Sequence, residues 1–360
     1  MSASPALEQH LRSVIPQAGR SSLREDVIPK ILDAIAGIAS TLRASQHVSL
    51  AGTANAFGDD QLNVDVLSEK VMREAIARCP SVVTASSEED PVERPARPSG
   101  AAEEAGTPTT TTTTTTTRSS SLATGSSEEC YTIAFDPLDG SSIIAPNWTV
   151  GTIVGIWDGR TAVGQHPAEK QIAAIMGVIG PRTTAIVALR IPGTDAGAGV
   201  GADPVCFEIG FGGPNGVADC EIIRASVRFA DAPFKTRYFA PANLRHAADD
   251  ERYGALVARF IRDRYTLRYC GGLVPDVAHA LVKGHGVYVS PVSPGALPKL
   301  RFLYELYPIA LIVECAGGKA LDPADGRPLL DKASVDCDGR AGLICGTAEE
   351  VDIVKRALLE

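Results

Sequence analysis

Phe135-Asp-Pro-Leu-Asp-Gly-Ser-Ser142 follows an apolar run that begins at Tyr131, so its polar groups fall at the end of a strand. Pro137 fixes one backbone angle, and Asp139-Gly140 is turn chemistry. A tight turn can bring the carboxylates of Asp136 and Asp139 to one side. Two bare carboxylates about 4 Å apart repel by roughly 4 kcal/mol at a surface-like dielectric. A divalent cation removes that cost, and oxygen-only ligands suit Mg²⁺ or Mn²⁺ rather than zinc. Beyond the turn, the Gly140 N–H and the Ser141 and Ser142 hydroxyls can receive a phosphate. Alone, the same letters also describe an ordinary Asp-Gly turn closed by its own side chains, so the surroundings decide.

Working outward, Ser86-Ser-Glu-Glu-Asp90 follows the β-prone pair Val82-Val83 and is a second acidic cluster at a strand end. Asp59 and Asp65 lie at the start of a helix, where capping is the alternative role. Glu305 sits between Tyr304 and Leu306, a setting in which a carboxylate is costly unless paired or metal-bound. Ile28, Ile31, Ile35, Ile38 and Leu42 give a helix with one apolar face, as do Val64, Leu67, Val71 and Ala75. Residues 51–60 between them read as a polar connector. Further strands are expected at 150–157 and 287–289, helices at 253–261 and 309–316, and glycine-rich loops at 193–201 and 210–216. Helices and strands alternate, so the class is α/β, with mixed α and β layers.

Composition narrows the function. The 360 residues carry a net charge of -9, which argues against a nucleic-acid binder. No apolar run reaches 18 residues, so no membrane-spanning helix is expected. Eight scattered cysteines without a CxxC pair read as reduced core thiols of an intracellular protein. Residues 91–127, with nine consecutive threonines from Thr109 to Thr117, have almost nothing apolar to bury and read as a disordered insertion.

At this point the motifs carry a resemblance. Gly52-Thr-Ala, Phe57-Gly-Asp-Asp-Gln-Leu62, Val64-Asp-Val-Leu67, Ser87-Glu-Glu89, Phe135 to Ser142, Gly151-Thr-Ile and Lys299 to Glu305 resemble the class I fructose-1,6-bisphosphatase family. Tyr238 to Arg245, Tyr265 to Val277 and Ser293-Pro are more similar to its sedoheptulose-1,7-bisphosphatase branch. The resemblance implies a sugar-phosphatase fold, a layered α-β-α-β-α sandwich. It implies a tail over 1–22, a metal-binding domain over 23–232 and a substrate-binding domain over 233–360.

By the same resemblance, Glu88, Asp136, Asp139, Glu305 and the Leu138 carbonyl hold two or three Mg²⁺ per subunit, which Mn²⁺ can replace, with Asp59 in support. Asp65 and Glu89 orient and deprotonate the attacking water. Gly140, Ser141 and Ser142 grip the phosphate that leaves; Asn243, Arg268, Tyr269, Lys299 and Arg301 hold the sugar and its distal phosphate. Arg268 corresponds to a family residue that crosses a subunit interface, which implies a homodimer or homotetramer. The expected substrate is sedoheptulose-1,7-bisphosphate, with fructose-1,6-bisphosphate second. A fructose-1,6-bisphosphatase of gluconeogenesis is the alternative. An inositol-phosphate phosphatase and a non-catalytic metabolite sensor are weaker ones. The redox cysteine pair of plastid relatives is missing from 51–57, and no transit peptide precedes the matching region, so a cytoplasmic location is expected, with neither membrane nor nucleic acid as partner.

Overall fold

Strands buried on both faces need apolar side chains at nearly every position, and Tyr131–Asp139, Val150–Asp158, Gln171–Ile179 and Thr183–Leu189 have them. The computed structural model describes residues 3–16, 19–54, 60–97, 129–192, 203–213, 215–293 and 297–360. In it these runs form the middle of an eight-stranded sheet. The six strands from Tyr131–Asp139 to Cys220–Arg224 follow one another as an antiparallel meander. Val82–Ser87 joins the other side, parallel to Tyr131–Asp139.

One face of this sheet, with Ile133, Phe135, Val154 and Ile175, packs on the helices Pro5–Val14, Ile28–Ala44 and Asn63–Ala77 through Leu11, Ile31, Ile35 and Met72. The opposite face, with Ile153, Trp157 and Met176, meets the helices Leu273–Lys283 and Tyr307–Cys315. Those two helices cover a five-stranded sheet made from Lys319–Leu321, Leu343–Gly346, Val287–Ser290, Tyr238–Pro241 and Thr266–Leu267. Phe239, Val289 and Ile344 on its far side close against the helices Glu251–Arg262 and Ala348–Leu359. The layers therefore run helix, sheet, helix, sheet, helix, the expected sandwich.

Several local expectations change. The segment 1–22 is more than a tail: Ser4 caps the helix Pro5–Val14, whose Leu7 and Leu11 are wholly buried. Leu67 faces outward, and the buried side of its helix is completed by Met72 and Ile76. The connector over 51–60 contains a strand, Leu50–Ala54, paired with Asp60–Leu62. The expected insertion begins later than residue 91, because Arg94–Pro95 pairs with Thr84 and Ala85, and the Glu93 carboxylate accepts the N–H groups of Ala162 and Val163. The threonine tract and the glycine-rich stretch 193–201 lie outside the described residues. Gly210 and Phe211 are part of a strand.

Candidate metal centre

Strand register assembles the site. Because Val82–Ser87 and Tyr131–Asp139 run parallel, both finish at the same edge, with Ser87 opposite Phe135. The Glu88 N–H then donates to the Phe135 carbonyl at 3.0 Å, which sets the two acidic turns side by side. Asp136 and Asp139 are three residues apart, so a regular strand would send them to opposite faces. The pairing to the next strand slips between Asp136–Ile153 and Asp139–Gly151, and this bulge turns both carboxylates the same way. The strand continues through Asp139, and Gly140 turns the chain at φ 100°, so a bulge achieves what the sequence assigned to a tight turn.

Glu305 arrives from the other half of the chain. It lies on a π-helical turn, Phe302–Leu306, that feeds the helix Tyr307–Cys315. The Arg301 N–H donates to its Oε2 at 2.6 Å. Carboxylate oxygens of Asp136, Asp139 and Glu305, all buried, lie within 4.8 Å of one another. Burial raises all three acids, and the negative Glu88 nearby adds to it. Asp139 is pushed up to about 7 even though the Leu273 and Val274 N–H groups donate to it at 3.3 and 2.7 Å. Asp136 and Glu305 stand well above the ordinary carboxylate range. Such a cluster of hard oxygen donors fits a divalent cation and offers no nitrogen or sulfur that would favour zinc.

Asp65 and Glu89 flank this cage. Leu62 N–H donates to Asp65 Oδ2 at 2.8 Å, while Oδ1 is buried without a partner. Burial, then the Glu88 charge, brings Asp65 to about 6 against that N–H. Burial likewise brings Glu89 to about 7, opposed by the Gln61 amide and assisted by Asp65 and Glu88. Asp59 lies outside the described residues. Gly140 opens a four-residue helical turn in which Ser141 and Ser142 are exposed beside the cage, and the Leu138 backbone runs through the bulge.

The expected sugar-binding residues divide. Arg301, deeply buried, pairs with Glu88 and so belongs to the wall of the cage. Asn243, at φ 52°, brings its backbone against the Tyr269 phenol. Arg268 is exposed, donates to the Leu267 carbonyl at 2.8 Å and lies over the Tyr238 ring. Lys299 is exposed. Sequence reading missed the supports: the Leu273 and Val274 N–H groups at a helix start, Thr152 donating to the Pro137 carbonyl at 3.0 Å, and the Glu69–Arg73 pair behind Ser87. Only Glu69 and Arg73, four apart on a helix, carried a legible signal.

Family models described as Fructose-1-6-bisphosphatase, N-terminal domain, and Fructose-1-6-bisphosphatase, C-terminal domain, match residues 112–198 and 232–359. The chain is 35% identical over 307 residues to the chloroplastic sedoheptulose-1,7-bisphosphatase of Triticum aestivum, covering 84% of this chain and 65% of that one. It thus spans just under two-thirds of the wheat protein's length. Against a class 1 fructose-1,6-bisphosphatase of Syntrophotalea carbinolica the identity is 31% over 354 residues, 95% and 93% of the two chains. A crystal structure of a candidate sedoheptulose-1,7 bisphosphatase from Toxoplasma gondii is similar over 99% of both chains, with TM-score 0.77 and 32% identity. Layers and cage make this an α/β protein of the sugar-phosphatase fold. More narrowly, the chain belongs to the class I fructose-1,6-bisphosphatase family, taken to include the sedoheptulose bisphosphatases.

Proposed function

We propose that this protein is a Mg²⁺-dependent phosphoric monoester hydrolase that removes the C1 phosphate of sedoheptulose-1,7-bisphosphate, with fructose-1,6-bisphosphate as a second substrate. The observation that carries the reading is the convergence of Asp136, Asp139 and Glu305 on one small volume from segments 166 residues apart in the chain. Glu88, Asp136, Asp139, Glu305 and the Leu138 carbonyl would hold two or three Mg²⁺ ions. Bound there, such cations neutralise phosphoryl oxygens and lower the pKa of an attacking water.

The protein's own groups do the rest. Asp65 and Glu89, both raised toward neutrality, can take the proton of a water held between them. The Gly140 N–H and the Ser141 and Ser142 hydroxyls hold the phosphate in line. Asn243 and Tyr269 meet the sugar and the exposed Lys299 meets the charge of the distal phosphate, while Arg301 stays in the wall of the cage, paired with Glu88. Arg268 is exposed and makes its hydrogen bond to the neighbouring Leu267 carbonyl, which leaves it accessible to a neighbouring subunit in a homodimer or homotetramer. A reducing compartment, the cytoplasm, goes with eight free thiols.

Phosphate release with Mg²⁺ tests the reading: the wild type should hydrolyse both bisphosphates and Asp139→Ala neither. A kcat/KM ratio above about tenfold, some 1.4 kcal/mol, assigns the preferred sugar. Fructose-1,6-bisphosphate ahead by that margin would reverse the order proposed.

A further inference from the structure

Behind the acidic turn lies a second set of charged groups that the proposed reaction does not use. The helix Asn63–Ala77 carries Asp65, Glu69 and Arg73 at intervals of four, so all three project from one side. Glu69 Oε1 accepts the Arg73 Nε–H at 2.7 Å and the Ser87 hydroxyl at 2.9 Å. Arg73 also donates to the Ala85 carbonyl at 3.4 Å and the Ser87 Oγ at 3.3 Å, and lies 3.6 Å from the Asp90 carboxylate. Its guanidinium is stacked over Phe135, the residue whose carbonyl holds the Glu88 N–H.

The turn being held is the one that bears Glu88 and Glu89. Ser87 N–H donates to the Asp90 carbonyl at 3.2 Å, and the Asp90 N–H returns to Ser87 Oγ at 3.0 Å. These bonds close the turn, but nothing in them sets its position against Asp65. The Ser87 hydroxyl does that, because the same oxygen closes the turn and donates to Glu69. Glu69 Oε2 is buried with no hydrogen-bond partner, a cost that a carboxylate free to face solvent would not carry.

We infer that Glu69 and Arg73 are positioning residues, a clamp that fixes the distance between Asp65 on the helix and Glu88 and Glu89 on the turn. The inference rests on the proposed hydrolysis for its kinetic consequence, though not for the clamp itself. Without it, the turn keeps its shape and its ends stay tied by Gln61 to Glu89 and Arg301 to Glu88, but it loses its hold on the body of the helix and its registry with Asp65 loosens. Misplacement of this kind can cost on the order of 10²-fold in rate. Substrate binding should be spared, because the hydrogen bonds and ion pairs of both residues run to each other, Ala85, Ser87 and Asp90 and not to Asn243, Tyr269 or Ser142.

Glu69→Gln, Arg73→Gln, the double variant and Ser87→Ala test this. Expected for each single variant are a fall in kcat of at least about tenfold, KM for the bisphosphate within about twofold, and a several-fold rise in the Mg²⁺ concentration for half-maximal rate. The double variant should be no worse than either single one, since both break the same clamp. Wild-type kcat and Mg²⁺ response in Glu69→Gln and Ser87→Ala would overturn the inference, as would losses that add in the double variant or fall on KM. Calorimetric titration with Mg²⁺ alone keeps the two readings apart. A wild type that hydrolyses neither sugar ends the functional reading. The clamp then stands if the variants weaken Mg²⁺ binding at least about fivefold, and falls if they do not.

Discussion

Asp139 is held by two amide hydrogens from Leu273 and Val274, and their helix sits where it does because residue 151 has no side chain. A Cβ at Gly151 would lie 2.4 Å from the Val274 side chain. Gly151→Ala should therefore push the helix start away and cost about 1–3 kcal/mol, the usual range for overpacking. Urea unfolding reads the stability and Mg²⁺ titration the loosened Asp139; an unchanged midpoint with unchanged Mg²⁺ affinity would contradict this. The acids themselves predict a pH effect. Asp139 and its neighbours are raised by burial and mutual repulsion, so between about pH 4 and 7 the native state binds more protons than the unfolded chain. The share of stability that these acids contribute to metal-stripped protein is then fullest at the acid end of that window and is lost as pH rises to 7 and beyond. Adding Mg²⁺ should raise Tm more at pH 7.5 than at pH 5, and equal shifts at the two pH values would count against a repulsive cage.

At the scale of elements, helix periodicity was the readable signal, because one wet and one dry face leave a pattern in the letters. The isoleucines of 28–38 are buried as their spacing requires. The helix Pro5–Val14 was missed: only Leu7 and Leu11 are buried in it, with Ile15 just beyond its end, too few over one short stretch to stand out from a polar terminus. Leu11→Ala should cost about 2–5 kcal/mol, as a buried Leu truncation does. Thermal melts should show this while kcat stays at the wild-type value; a surface-like change below about 0.5 kcal/mol would return the segment to a tail. The carboxylates that close the cage were legible as residue types on strand ends. The bulge that aligns Asp136 with Asp139 was not, since its cause lies in pairing with Ile153 and Gly151 on another strand. Backbone donors such as Leu273 and Val274 leave no trace in side-chain identity at all.

Across the whole molecule, the cage sits where the edge of the first sheet meets the start of the middle helix layer. That is why its ligands come from both halves of the chain. Arg268 directly follows the short strand Thr266–Leu267 at one edge of the second sheet and donates to its own Leu267 carbonyl. If it serves a neighbour, subunits carrying Arg268→Ala and subunits carrying Asp139→Ala should form mixed oligomers with some sites intact. Denaturing and refolding the two inactive variants together should restore phosphate release; no recovery in assemblies proven to be mixed would place Arg268 in its own subunit's site. The bond from Val274 to Asp139 has a wider consequence. A carboxylate rooted in one layer is steered by amides of the next, so any tilt between those layers would change how well the acid faces a cation placed in the cage. Cation affinity would thereby gauge the angle between the two layers.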